Sequence, residues 1–368
     1  MDISERDEND MIALIGQRQA QADGVADYCS QLEQAMVKRN IHLKLRWMSW
    51  KERGGAGALS WLWQESPQWQ GKWVIVQYTA FAWSDRALPV MFLVVLLLLR
   101  LRGVSLAVKF HEVQGYPGQK LNHRLRRSIQ LWVIETAIRW ADKPILNVSL
   151  DKLHWLPIQD PKVTFIPVGA NIAEPNWEKV KPTINDERPK TIAVFGMTSA
   201  DITSQEIADI AYAVQQAALQ VPKLRLVTLG RGSKEAEKLL RQALNGVNIE
   251  MNALGLISAE EISRTLAASD VQLYVRGDIS TRRGTAIAGL ACGLPIVAYA
   301  GTETGHPIPE AGVLLVPEGD RATLAESLTR VLTDEKLRLE LQQRSKDAYQ
   351  KYFSWDAIAD RFCQELSL

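Results

Sequence analysis

The feature that most constrains this chain is a regular alternation of short β-branched or apolar runs with segments of helical period, sustained from end to end. In the first half the strand-like runs are 11–15 (MIALI), 41–47 (IHLKLRW), 73–77 (WVIVQ), 104–110 (VSLAVKF), 144–148 and 163–167. In the second half they are 191–195 (TIAVF), 224–229 (LRLVTL), 248–251, 271–275 (VQLYV), 295–299 and 313–316. Between them, 25–39, 203–219 and 259–268 space their apolar residues helically, as Ile207, Ile210, Ala211, Val214 and Ala218 do. Strands that alternate with helices form parallel sheets with right-handed crossovers. Two such series predict an α/β protein of two Rossmann-like, doubly wound domains facing a cleft. A length of 368 residues suffices for two separate cores.

The break between the series falls at 174–190, EPNWEKVKPTINDERPK, where three prolines, many charges and no apolar period read as a linker. The predicted organisation is therefore an N-terminal domain over 1–173, a C-terminal domain over 191–352 and a last helix within 353–368. Helical stretches are expected at 320–352 and 355–366. The apolar run 89–99, PVMFLVVLLLL, is too short to span a bilayer, which takes about 20 residues; it reads as a buried helix between two strands.

Composition excludes several classes. With 46% hydrophobic and 23% charged residues the chain is globular, and a net charge of +1 gives no reason to expect a nucleic-acid partner. Cys29, Cys292 and Cys363 lie far apart with no C-x-x-C pair, against a disulfide framework or a zinc site. The start, MDISERDEND, is too acidic for a signal peptide, so a cytoplasmic location is expected.

In open α/β sheets ligands bind beyond the carboxyl ends of the strands, where helix N-termini point. Several loops of that kind carry chemistry here. Gly24 and Val25 open the first helix, where close backbone approach and the helix N-terminus make them candidates for donor binding, without the G-x-G-x-x-G of a nicotinamide site. Tyr78, Thr79, Ala80 and Phe81 could line a sugar site or pack. His111 and Glu112 follow VSLAVKF, placed to meet a substrate hydroxyl or phosphate. They lack H-E-x-x-H spacing, because position 115 is Gly115. Arg100, Arg102, Lys109, Lys120, Arg124, Arg126 and Arg127 form a basic stretch, read either as a solvated helix face or as a contact for anionic lipid.

The second half holds the denser cluster. Arg231 and Gly232 follow LRLVTL, where a cation reaches a phosphate. Ser280, Thr281, Arg282, Arg283, Gly284 and Thr285 precede a small-residue helix over 285–291, so that cations, hydroxyls and a helix dipole agree on an anion. Gly289 keeps that helix slim. Glu303 and His306 lie in the loop after the next strand and border the same pocket. With no C-x-x-C, H-E-x-x-H or G-x-G-x-x-G spacing, no zinc site and no resident cofactor are expected.

The segment RRGTAIAGLACGLPIVAY resembles the donor-binding signature of the family 4 glycosyltransferases, enzymes of the GT-B fold. VFG, VTLGRG, GLISAEEISRTLAASDVQLYV and AGVLLVPEGD resemble its flanking elements in the same order. DGVADYCSQLEQAM, VQYTAF, FHEV and FIPVGANI resemble its acceptor-domain elements. The resemblance runs from about residue 11 to 366 and is most specific over 255–317. It implies a nucleotide-diphosphate sugar donor in the second domain and an acceptor (a glycan, a lipid-linked sugar or a small molecule) in the first. It also implies retention of anomeric configuration, metal independence, catalytic His111 and Glu112, and a final helix crossing back to the first domain. The location it fits is cytoplasmic, with peripheral contact at the inner face of the membrane. Two positions depart from the family. Where it places E-x-x-x-x-x-x-x-E this chain has Ser280 and Ala288, which leaves the ribose contact unassigned. The basic residue expected after VFG is absent, so phosphate binding falls to Arg231, Arg282 and Arg283. Those departures motivate a second reading, a non-catalytic nucleotide-sugar or glycan-binding module on the same fold; a nucleotide-sugar epimerase is a third.

Overall fold

A computed structural model describes residues 10–17, 24–116, 118, 120–156, 160–172, 188–197 and 204–368. The chain divides into two compact units: unit 1 comprises Met1–Pro167 with Trp355–Leu368, and unit 2 comprises Val168–Ser354. Each is built on one six-stranded sheet, and every strand pair is parallel.

Unit 1 contains β1 (Asp10–Ile15), α1 (Gly24–Val37), β2 (His42–Trp47), α2 (Trp50–Glu65), β3 (Trp73–Tyr78), α3 (Val90–Leu101), β4 (Ser105–Phe110), α4 (Leu121–Trp140), β5 (Lys143–Leu146) and β6 (Thr164–Phe165). The sheet order is β2-β1-β3-β4-β5-β6, so its winding reverses between β1 and β3. Unit 2 contains β7 (Lys190–Phe195), α5 (Ser204–Ala218), β8 (Leu224–Leu229), α6 (Ser233–Ala243), β9 (Glu250–Gly255), α7 (Ala259–Ala267), β10 (Val271–Tyr274), α8 (Gly284–Ala291), β11 (Ile296–Ala300), β12 (Val313–Pro317), α9 (Arg321–Thr333) and α10 (Glu335–Ala348). Its order is β12-β11-β10-β7-β8-β9, which reverses between β10 and β7. Such reversal points are where open α/β sheets bind ligands. The central strands are buried almost throughout, β1, β3 and β4 in unit 1 and β7, β10 and β11 in unit 2, because helices cover both faces.

The last helix, α11 (Trp355–Leu366), packs on α1 within unit 1. Lys38 and Arg39 pair with Asp356 and Asp360, while Glu365 accepts from Lys143 and Thr164 at 2.9 and 2.8 Å.

Four local features differ from the sequence reading. Helix α2 carries Gly54, Gly55 and Gly57, which hide its helical period; Gly54, at φ 68, kinks it. The stretch 320–352 is two helices, because Asp334 caps a new one by accepting from Leu337 N–H at 2.9 Å. The apolar run 89–99 is not buried all round: Phe92, Leu93, Val95, Leu96 and Leu99 face the core, and Val90, Met91 and Leu97 face out. Of the proposed linker, 174–187 lies outside the described residues, and Arg188 forks onto both oxygens of Asp270 at 2.8 and 2.7 Å beside the start of β7.

Candidate functional site

The polar residues singled out by sequence gather at the carboxyl edges of the two sheets, one group on each unit. In unit 2, the loop after β10 carries Arg276 to Arg283 into α8. Gly289 lets this helix lie on the sheet: a Cβ there would stand 1.8 Å from Gln272 Oε1. Gln272 in turn donates to Thr285 O at 3.0 Å, fixing the helix N-terminus above β10. Across the reversal point, Gly196 follows β7 at φ 103, and a Cβ there would press on the Thr285 side chain at 3.0 Å. Arg276 Nη1 donates to Gly196 O at 2.9 Å and so spans the two loops.

Ser280 and Thr281 are buried, and Thr281 O accepts from Val168 N–H at 3.2 Å. Arg282 Nε donates to Glu303 Oε2 at 2.5 Å, and Ser280 Oγ lies 3.4 Å from the same oxygen. Glu303, 2% exposed, has no partner for its second oxygen among the described residues. Asp278 lies 3.6 Å from Arg283 and accepts from Glu303 N–H at 3.1 Å. Arg282 and Arg283 are thus held by carboxylates, yet keep about a quarter of their side-chain surface open (27% and 29%). Gly232 is tied to Met197 O at 2.9 Å beside the same edge, and Arg231 projects into solvent. His306 pairs instead with Glu310 at 2.6 Å.

In unit 1, His111 ends β4. Its Nε2 lies 2.8 Å from Gln77 Oε1, its ring stands edge-on to Tyr28 at 5.0 Å, and its carbonyl accepts from Asn147 at 3.0 Å. With Gln77 presenting an oxygen, Nε2 carries the proton and Nδ1 the lone pair. Burial, and secondarily the charge of Lys109, lower the imidazole to about 3, so it is neutral at physiological pH. Lys109 is itself buried in β4, donating to Ile166 O at 2.5 Å, and burial brings its ammonium down to about 7. Glu112 accepts from Ala80 N–H at 3.0 Å.

Two placements qualify the sequence reading. Gly24 and Val25, expected to contact the donor, open α1 in unit 1, with Tyr28 one turn further on beside His111. The basic stretch is not one surface: Lys109 lies in the sheet, Arg102 stacks on Trp63 at 3.4 Å, and Arg100 donates to Trp140 O. Residues that the reading passed over are Gln77, Tyr28, Arg276 and Asp278. Gln77 and Arg276 had a signal available, since each is a polar residue at or just after the end of an apolar strand. Asp278 and Tyr28 act through contacts set by tertiary structure alone. No group of three His, Cys, Asp or Glu side chains that could hold a metal occurs among the described residues.

Residues 189–334 match the sequence profile of the family described as "Glycosyl transferases group 1". A GDP-mannose-dependent monoacylated α-(1-6)-phosphatidylinositol monomannoside mannosyltransferase of Corynebacterium glutamicum is 28% identical over 148 residues, a stretch that covers 38% of this chain and 38% of that protein. Among solved structures, sucrose-phosphate synthase from Thermosynechococcus elongatus superposes with a TM-score of 0.68 at 17% identity, covering 98% of both chains. Anabaena HepE in complex with UDP and glucose gives 0.64 at 15% identity, covering 97% of this chain and 99% of that one. At such identities the likeness establishes the fold: two α/β domains arranged along the chain as in GT-B glycosyltransferases.

Proposed function

We propose that this protein is a glycosyltransferase that takes a sugar from a nucleotide-diphosphate donor and passes it, with retention, to a glycan, lipid-linked or small-molecule acceptor. One observation carries the reading. The stretch that matches the glycosyl transferases group 1 family contains, at the winding reversal of its sheet, two partly open arginines and a helix N-terminus on one loop. Such an arrangement suits a diphosphate, whose charge grows as the sugar leaves. Relatives named for GDP-mannose and UDP fit the same class of donor.

The roles follow from the chemistry of each group. Arg231, Arg282 and Arg283, with the α8 N-terminus at Gly284 and Thr285, neutralise the diphosphate; no metal is needed for that charge. Glu303 supplies a carboxylate beside Ser280, close to where the related family carries its first motif glutamate, and its unpartnered oxygen receives a donor hydroxyl. In unit 1, neutral His111 offers hydrogen bonding to the sugar or acceptor without placing a cation beside the reacting carbon. Glu112 shapes the Thr79–Ala80 loop.

The binding-module reading is favoured by the carboxylate partners that Arg282 and Arg283 already have. Incubation with a panel of nucleotide sugars separates the two readings. A transferase shows a rise in melting temperature with its donor, slow release of free sugar, and a product of unchanged anomeric configuration when an acceptor is added. Stabilisation with no sugar released under any condition would leave a binder; no stabilisation by any nucleotide sugar would remove both.

A further inference from the structure

We propose that a cavity on unit 1, walled by Trp50, Phe81 and Trp83, binds one uncharged sugar ring of the acceptor. The role as acceptor rests on the transferase reading. The cavity, of about 220 Å³, lies among the loops that follow β1, β2 and β3. The winding of the sheet reverses between β1 and β3, the position at which such sheets take ligands.

Its walls are fixed by specific contacts. Gly16 lets the loops after β1 and β3 touch: a Cβ there would stand 2.2 Å from Ala82 O and 3.1 Å from the Trp83 ring. Gln17 N–H donates to Ala82 O at 2.6 Å, and Gln17 Oε1 accepts from Lys51 N–H at 3.0 Å, which ties α2 to the same loops. Trp83, 3% exposed, is held by donating Nε1 to Gln77 O at 2.8 Å. The side chain of the same Gln77 faces His111, so the cavity and the candidate catalytic residue share one support.

The lining selects the occupant. Trp50 and Trp83 stand edge-on with centroids 6.0 Å apart, while Phe81 keeps 44% of its surface open. Trp50 Nε1 is buried with no partner among the described residues, although an indole N–H ordinarily finds one. The charged residues of the lining, Lys51 and Asp85, pair with each other at 3.1 Å, so the site favours neither an anion nor a cation. A drug-sized ligand takes roughly 300–1,000 Å³; this cavity suits one ring and not a nucleotide. A pyranose meets each condition. Its C–H face covers an aromatic ring, and a hydroxyl accepts from the indole N–H. A wholly apolar ring would leave that N–H unpaired.

Saturation-transfer NMR on the full chain tests the proposal, with methyl glucosides, mannosides and galactosides as probes and cyclohexanol as the apolar control. A glycoside should receive magnetisation on the C–H protons of one ring face, and cyclohexanol much less. Phe81→Ala should weaken that glycoside by about tenfold, the scale of one aromatic contact, and Phe81→Trp should restore it. Trp50→Phe, which keeps a ring and removes the N–H, should weaken it by less. A thermal melt verifies that each variant is folded. No transfer to any glycoside, equal transfer to cyclohexanol, or binding indifferent to both Phe81→Ala and Trp50→Phe would overturn the proposal. Melts of the unaltered protein with UDP- and GDP-sugars keep the two readings apart. Stabilisation by a donor without glycoside binding removes the sugar cavity alone. Glycoside binding without a donor effect removes the transferase and the acceptor role, while the ring site stands.

Discussion

The carboxyl edge of unit 2 and that of unit 1 use opposite electrostatics on the same kind of sheet. In unit 2 the loops after β7, β8, β10 and β11 bring Arg231, Arg276, Arg282, Arg283, Asp278 and Glu303 to one edge, with ion pairs already formed between Arg282 and Glu303 and between Arg283 and Asp278. In unit 1 the corresponding edge holds an imidazole that burial keeps neutral, an amide, and an ammonium whose charge burial opposes. A fold built twice has been filled once with several fixed charges and once around a neutral imidazole, an amide and a lysine whose charge burial weakens. For the proposed transfer that division is apt: charge develops on the departing diphosphate, and the attacking hydroxyl needs orientation more than charge.

The largest expected effect lies in the charged half. Arg282→Ala with Arg283→Ala should weaken binding of the nucleoside diphosphate by two to four orders of magnitude, at about 1.5–3 kcal/mol for each charge-assisted contact. The melting temperature should also fall, because Glu303 is left buried without its cation. Titration of the folded double variant decides the matter, and unchanged affinity would end the assignment of charge to this edge.

His111→Ala should lower turnover by roughly 100-fold or more, the scale for losing one preorganised hydrogen-bonding group, with donor affinity nearly unchanged. Gln77→Leu, which removes the oxygen facing Nε2 at 2.8 Å, should lower turnover in the same direction by less. A His111→Ala protein that melts early yet turns over normally when folded would make the residue structural and collapse the contrast between the edges.

The architecture was legible because period and burial coincide. VQLYV, TIAVF and PIVAY are apolar throughout since helices cover both faces of these strands. Gly289 could be read as a packing residue, and Gln272 proves to be what it packs on. The arginine loop was visible too, but its internal pairing was not. Nothing in the spacing of Asp278, Arg283 and Glu303 announces that β10 and β11 set them side by side. Lys109 misled for a related reason: a lysine among basic neighbours reads as surface, and only the pairing of β4 with β3 and β5 shows that it lies inside the sheet. Helix α2 was hidden by its glycines.

Lys109 gives the contrast a pH signature. Its ammonium is lowered to about 7 by burial, against an ordinary value of 10.5. Between those values the unfolded chain binds a proton that the folded chain does not, so stability rises with pH there, by at most about 1.4 kcal/mol per pH unit. Below about 7 both states are protonated and the slope vanishes. Lys109→Met should flatten the rise, measured as denaturant unfolding of the unit 1 transition across alkaline pH. A slope that persists in the variant would assign it elsewhere.

The smallest expected effect concerns how each unit is closed. Unit 2 is drawn from one continuous stretch, whereas unit 1 is completed by α11 from the far end of the chain. Glu365 fastens that helix through Lys143 and Thr164. Burial raises its carboxyl, but these two hydrogen bonds and the Lys143 and Arg361 charges outweigh it and leave the group below its usual value of 4.5. A carboxylate lowered in the folded state stabilises above its unfolded pKa, and that contribution fades as pH falls through the folded one. The group is partly exposed, 31% for its side chain, so solvent screening holds the pair to about 0.5–1 kcal/mol. Glu365→Gln should therefore cost that amount at neutral pH and less in acid. Hydrogen exchange gives the sharper readout: amides of α11, β5 and β6 should exchange a few times faster, consistent with about 1 kcal/mol of local opening, while β7 to β12 stay unchanged. Faster exchange in unit 2 as well would show that α11 supports both halves of the chain, and the two units would then have to be treated as one cooperative body.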